Sequence, residues 1–281
     1  MSQLRKLLIL MMMVSMIQLQ KNKILALVFI SAFFISCDFT PRLHKKILGA
    51  QEYIRLQQYR KAISQYELIL KDNPPNDIKV KIFYQLGELY SINLGENKKA
   101  IKYYREIKKV TDSPLWLVKS EERIGDISFN FTKDYIQSEK SYKLLVDFTP
   151  RLERFDFYQF RLAQNYLKAN EYHKAYIEFL KIQSSTNHKF YVQSFYQIGL
   201  LNFQKKNWKE AVDSWKEYLK RETNKENLVQ TKFLMANAYE TMEELKKAYN
   251  LYYSILGEYP NTEVLQNRLN SIFHRRVSRK R

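Results

Sequence analysis

The stretch LGELYSINLGENKKAIKYYREI, Leu86 to Ile107, decides the fold. A small residue, Gly87, stands in an apolar context with Tyr90 three positions later. A second small residue, Ala100, follows after 13 positions, and an aromatic, Tyr104, four after that. Small residues let two helices approach closely. An aromatic one turn beyond the second small residue fills the wedge that the close approach leaves. Pro114 then interrupts, because proline cannot continue a helix interior. The segment reads as helix, turn, helix.

The same grammar recurs along the chain. The first small residue falls at Ala50, Gly87, Gly125, Ala163, Gly199 and Ala236, with spacings of 37, 38, 38, 36 and 37. The second falls at Ala62, Ala100, Ser138, Ala175, Ala211 and Ala248, and the aromatic at Tyr66, Tyr104, Tyr142, Phe179, Trp215 and Tyr252. Pro74, Pro114, Pro150 and Pro260 are expected to close four of the units. Units 2 and 3 carry one extra residue in the inner turn, near Gly95 and Lys133. Unit 3, with Ser128 and Ser138 at key positions, is the weakest match. One such unit cannot bury its own apolar face, so neighbours must stack.

This pattern resembles the tetratricopeptide repeat (TPR) over residues 43–262. The resemblance implies an all-α fold: a right-handed α-solenoid of about six helix–turn–helix units over 44–262. A capping helix and basic tail are expected over 263–281, with the residues from Arg268 onward solvated and frayed. Composition agrees with the class. Only six Gly and six Pro occur in 281 residues, too few for a turn-rich β fold. Apolar residues make up 45%, enough for a core.

The N-terminus reads as an export signal over 1–36. Arg5, Lys6, Lys21 and Lys23 precede or flank an apolar run, Ile24 to Ser36, that is too short to span a bilayer. The chain's one cysteine, Cys37, follows at once. Phe34-Ile35-Ser36-Cys37 resembles the lipobox of bacterial lipoproteins. The small Ser36 fits, and Phe34 departs from the usual Leu. The resemblance implies lipidation of Cys37, with diacylglycerol on sulfur and room for a further acyl chain such as palmitate. Residues 37–43 would form a short tether. Arg42, Lys45 and Lys46 would face anionic headgroups.

One cysteine excludes an internal disulfide and a cysteine-rich zinc site. No nucleotide, metalloprotease or nucleophile-elbow motif is present. His44, His173, His188 and His274 are scattered. Glu121/Glu122 and Glu243/Glu244 are helix neighbours that diverge, expected as solvated pairs. The reading is therefore not an enzyme, with no catalytic residue, no metal, no cofactor and no small-molecule substrate. Lys and Arg number 47 against 29 acids, a net charge of +18. Loss of the four basic residues with the signal leaves +14. The basic residues are spread over the outer helix faces, so with export the reading is no nucleic acid.

The TPR resemblance places the first helix of each unit on a concave groove. Groove positions then include Tyr84, Phe129, Phe157, Phe160, Tyr196, Leu200, Phe203 and Phe233. An aromatic-lined groove suits a protein or peptide partner with apolar anchors. No unit has Lys three before the small residue, so the carboxylate clamp of chaperone-binding TPRs is not expected. The expected role is a lipid-anchored adaptor of the bacterial envelope, facing the periplasm. It resembles the TPR lipoprotein of the outer-membrane β-barrel assembly machine. The alternatives are a periplasmic cell-wall or division coordinator and a pilotin-like secretion chaperone.

Overall fold

The computed structural model describes residues 39–278. The expected signal, Cys37 and the last three tail residues lie outside that range. Among the described residues there are thirteen α-helices and no strand. In chain order they are α1 (Phe39–Arg55), α2 (Tyr59–Lys71), α3 (Asn76–Glu88), α4 (Asn97–Val110), α5 (Pro114–Ile127), α6 (Tyr135–Val146) and α7 (Phe155–Lys168). There follow α8 (Tyr172–Gln183), α9 (Tyr191–Gln204), α10 (Trp208–Leu219), α11 (Lys225–Thr241), α12 (Leu245–Ser254) and α13 (Thr262–Ser278). The odd-numbered helices α1 to α11 carry the first small residue of each repeat. Their even-numbered successors carry the second small residue and the aromatic.

The chain divides into two compact units, residues 1–96 and 97–281. In the first, α1 packs on α2 and α2 on α3. In the second, each helix from α4 to α13 packs on the next, and α7 also reaches α9. That order of contacts is the helix–turn–helix repeat stack the sequence predicts.

The repeat grammar is a burial code. All six residues at the first small position are buried, as are all six at the second. Tyr104, Tyr142, Phe179, Trp215 and Tyr252 are completely buried and Tyr66 nearly so. Each such aromatic contributes on the order of 2–3 kcal/mol through burial alone. Ser138 keeps the second small position at a polar cost that is met. Its hydroxyl donates to the carbonyl of Gly125 at 3.3 Å. The weakest sequence match is thus a full member of the stack.

Each inner turn closes on one left-handed residue: Gln57, Gly95, Lys133, Asn170, Lys206 and Glu243, with φ between 55° and 67°. In repeats 1, 4, 5 and 6 the next N–H reaches back five residues, as from Glu171 to Tyr166 O at 2.8 Å and Asn207 to Asn202 O at 2.8 Å. These are Schellman caps. In repeats 2 and 3 the first helix ends in a π-turn, Leu89–Asn93 and Ser128–Thr132. The extra residue therefore widens the last helical turn and leaves the loop short.

Three expectations change. The tether stretch 37–43 is helical from Phe39, so the first repeat begins earlier. Pro114 opens α5 as its first residue, where its missing N–H costs nothing, instead of ending α4. The basic C-terminus is no frayed tail over 268–278. It belongs to α13, and Arg268 and Arg275 reach Glu240 at 3.6 and 3.1 Å, with Arg275 also at Glu243. Leu265, Leu269 and Ile272 of α13 are buried, as a capping helix requires.

Candidate partner-binding face

The first helices of repeats 3 to 6, all in the second unit, leave one stripe each unburied. On α5 it runs through Lys119, Glu122 and Asp126 and continues to Asn130 in the π-turn that follows. On α7 it runs Phe157, Arg161, Gln164, Lys168, a spacing of four, three and four that marks one helix face. On α9 the stripe holds Gln193, Tyr196, Gln197, Leu200 and Gln204. On α11 it holds Gln230, Phe233, Asn237 and Glu240. Amides and charges predominate, with aromatic rings set between them.

The expected aromatic anchors divide into two groups. Phe129 and Phe160 are buried, each 8% exposed. Phe160 stacks on Phe190 at 4.4 Å and meets Phe179 edge-on at 6.1 Å. Phe157, Tyr196, Leu200, Phe203 and Phe233 are half-buried and flank the two hydrophobic clusters of this unit. Phe203 meets Trp208 edge-on at 4.9 Å and lies beside Trp215 at 5.6 Å. Phe233 stacks on Tyr259 at 4.3 Å. At Phe160 and Phe233 the position three before the small residue thus faces a ring supplied by the turn to the next helix, whereas Tyr196 meets Tyr218 of α10. Much of its surface goes into packing. Tyr84 is half-buried on α3, in the first unit.

The core aromatics reach the face from behind. The Tyr142 hydroxyl donates to Asp126 Oδ1 at 2.6 Å, and the Tyr252 hydroxyl donates to Asn237 Oδ1 at 2.5 Å. Burial, and next the charge of Asp126, push the Tyr142 hydroxyl far above its ordinary pKa, so it is a permanent donor. Trp215 Nε1–H donates to the carbonyl of Tyr196 at 3.2 Å. Residues of the face are therefore held in place by the wedge behind them.

Sequence reasoning missed Arg161. Its guanidinium lies over two rings, Phe129 and Phe157, 5.2 Å from each centroid. Its one hydrogen bond is a long one from Nη1 to Gln164 Oε1, at 3.4 Å. Its Nε is buried with no acceptor. Arg154, one pair of turns earlier, stacks on Phe157 at 4.5 Å and is ion-paired with Glu122. The signal in the sequence was a lone charge between Phe160 and Leu162 in an otherwise apolar run.

The adjacent carboxylates diverge as expected, but Glu121 is not solvated. It is 2% exposed and ion-paired with Lys108, while Glu122 pairs with Arg154. Burial, with help from Arg105, pushes the Lys108 amine below its usual range. This ion pair, with a buried carboxylate and an exposed lysine, ties α4 to α5. Among the described residues no group of His, Cys, Asp and Glu could hold a metal ion. No described helix is long and apolar enough to cross a membrane. Arg42 and Lys45 are exposed on α1. Lys46 is exposed too and reaches Asp72 at 2.5 Å.

A stack of helix–turn–helix repeats with a polar, ring-studded face on its first helices is a protein-interaction fold. The comparisons agree at that level. Residues 80–112 match the family model for the tetratricopeptide repeat. No curated protein matches the sequence. Among solved structures, PilW, described as a widely conserved type IV pilus biogenesis factor, is 19% identical with a TM-score of 0.52. That match covers 81% of this chain and 98% of PilW. The apo form of RapI is 16% identical with a TM-score of 0.57, covering 94% of this chain and 83% of RapI. The Naa15/Naa10 complex bound to HypK is also 16% identical, TM-score 0.53, over 83% of this chain and 39% of that one. Identities this low establish a shared fold.

Proposed function

We propose that the protein is a lipid-anchored adaptor of the bacterial envelope, held to a membrane through Cys37 and binding a protein partner on its first-helix face. The observation that carries the binding half is the unburied stripe. In every repeat of the second unit the small residues and the core aromatic are committed to packing. Among the described residues the stripe of Gln, Asn, Arg and half-buried rings keeps surface exposed beyond the contacts named above. Amides can pair with an extended peptide backbone, and rings supply apolar contact area. The anchoring half rests on the sequence, in the solitary Cys37 directly after an apolar run. Within this class we place the role in outer-membrane β-barrel assembly.

A second reading, a pilotin-like secretion chaperone, draws support from the fold shared with the pilus biogenesis factor PilW. Kinetics separate the two. An assembly subunit copurifies with its complex in fixed ratio, whereas a chaperone exchanges its client.

The test is the intact mass and membrane partitioning of the native protein beside Cys37→Ala, then cross-linking and mass spectrometry of the membrane fraction. The expected result is a lipidated Cys37, membrane loss in the variant, and β-barrel proteins among the cross-links. An unmodified Cys37 in a soluble protein removes the anchor. Cross-links confined to the outer faces of the second helices remove the binding face.

A further inference from the structure

Arg161 is set apart from the other arginines of its surroundings. Arg151 pairs with Asp156, Arg154 with Glu122, and Arg221 with Glu217. Arg161 has two aromatic faces, one long bond to an amide, and an Nε with no acceptor. Among the described residues Arg161 forms no ion pair, and a half-buried guanidinium left so is an incomplete site. The rings flank the guanidinium and Nε is buried, so the Nη N–H groups are the ones left to bond a ligand. Those donors form a fork that matches a planar, two-oxygen acceptor. The rings also fix the side chain before any ligand arrives, which lowers the entropy cost of capture.

We infer that the partner delivers a carboxylate to Arg161. On this inference the ligand is a protein segment lying across α5 and α7, with an Asp or Glu side chain seated on the guanidinium. The inference rests on the protein-binding reading above and adds the chemistry of the partner. The local charge favours a monoanion. The α5 stripe already carries a carboxylate, Asp126, which accepts from the Tyr142 hydroxyl. A phosphate dianion would meet that carboxylate as a like charge. Lys119 and Lys168, exposed on the α5 and α7 stripes, draw an acidic segment toward the face.

The experiment uses the full chain in mild detergent and an array of short random-sequence peptides, each with free and with amidated C-terminus. Bound peptides should carry Asp or Glu. Replacing that residue by Asn or Gln should weaken binding about tenfold, and Arg161→Gln should do the same. The two losses should not add, because each removes the same contact. Arg161→Lys keeps the charge without the fork and should fall between. It also serves if the Gln variant melts early. Binding indifferent to acidic residues and to both variants overturns the inference and leaves the adaptor reading intact. Binding that needs only a free C-terminal carboxylate, or only phosphorylated peptides, overturns it too. An array with no bound peptide does the same, and cross-linking then decides whether the face binds protein at all.

Discussion

At Gly199 an added Cβ would lie 2.2 Å from Trp215 Nε1 and 2.4 Å from Cδ1. The indole is fully buried and tied to Tyr196 O, so it has nowhere to go. Gly199→Ala gains helix propensity of about 1 kcal/mol but overpacks the wedge, and a net loss of about 2–3 kcal/mol is expected. Gly125 differs. Its added Cβ would meet the Tyr142 ring and Ser141 Cβ at 3.3 Å, a contact that a shift of tenths of an ångström relieves. Gly125→Ala should therefore change stability by under about 1 kcal/mol. Urea unfolding of both variants checks this, and equal losses would refute it. The sequence shows that these positions must be small. It does not show which tolerate a methyl group, because that depends on how close the partner ring comes. Arg161 was missed for a related reason. The groove register of the tetratricopeptide repeat points to Phe160, and only the packing shows that its neighbour holds the surface.

Elements end and turn by rules that the sequence shows in part. The extra residues near Gly95 and Lys133 are visible as spacing, but their conversion into π-turns is not, since hydrogen-bond register is a three-dimensional choice. Five inner turns place a non-glycine residue at left-handed φ. At Lys206, with φ 63°, a side chain costs about 1 kcal/mol relative to glycine. Lys206→Gly should gain about that much, read as a raised Tm. The turn between α8 and α9 carries a pH response. His188 is buried, accepts a bond from Phe190 N–H at Nδ1 (3.1 Å), and sets Nε2 3.6 Å from Asp156 Oδ1. Burial lowers the imidazole pKa below its ordinary 6.5, although Asp156 opposes this and Arg151 adds to it. Burial pushes the Asp156 carboxyl up. Lys189 N–H, His188 and Arg151 more than reverse that, leaving it below its usual range. The native state thus binds fewer protons than the unfolded chain once pH falls through about 6.5. Stability present above that pH is lost on acidification toward pH 5. Thermal melts across this range should show the slope, and His188→Asn should flatten it.

At the scale of the whole molecule, the count of repeats, the order of helices and the capping helix were legible, because six buried positions recur in one register. The division after Glu96 was not, since the repeat grammar runs through Gly87 and Ala100 without a break. Charge acts at this scale too. With +14 on residues 37–281, the Cys37→Ala protein should still adsorb to anionic vesicles at low salt. Raising salt to about 0.5 M shortens the screening length to a few ångströms and should release it. Lipidated protein should stay bound, and sedimentation with vesicles distinguishes the two. The bonds from Tyr142 to Asp126 and from Tyr252 to Asn237 have a last consequence, for how such a molecule can diverge. Asp126→Ala would strand a buried hydroxyl at about 1–3 kcal/mol, so its loss would appear as misfolding before it appeared as altered recognition. Drift in specificity is therefore channelled. Positions such as Gln164 and Lys168 are open to change between lineages, while Asp126 and Asn237 are tied to the interior and must change together with it.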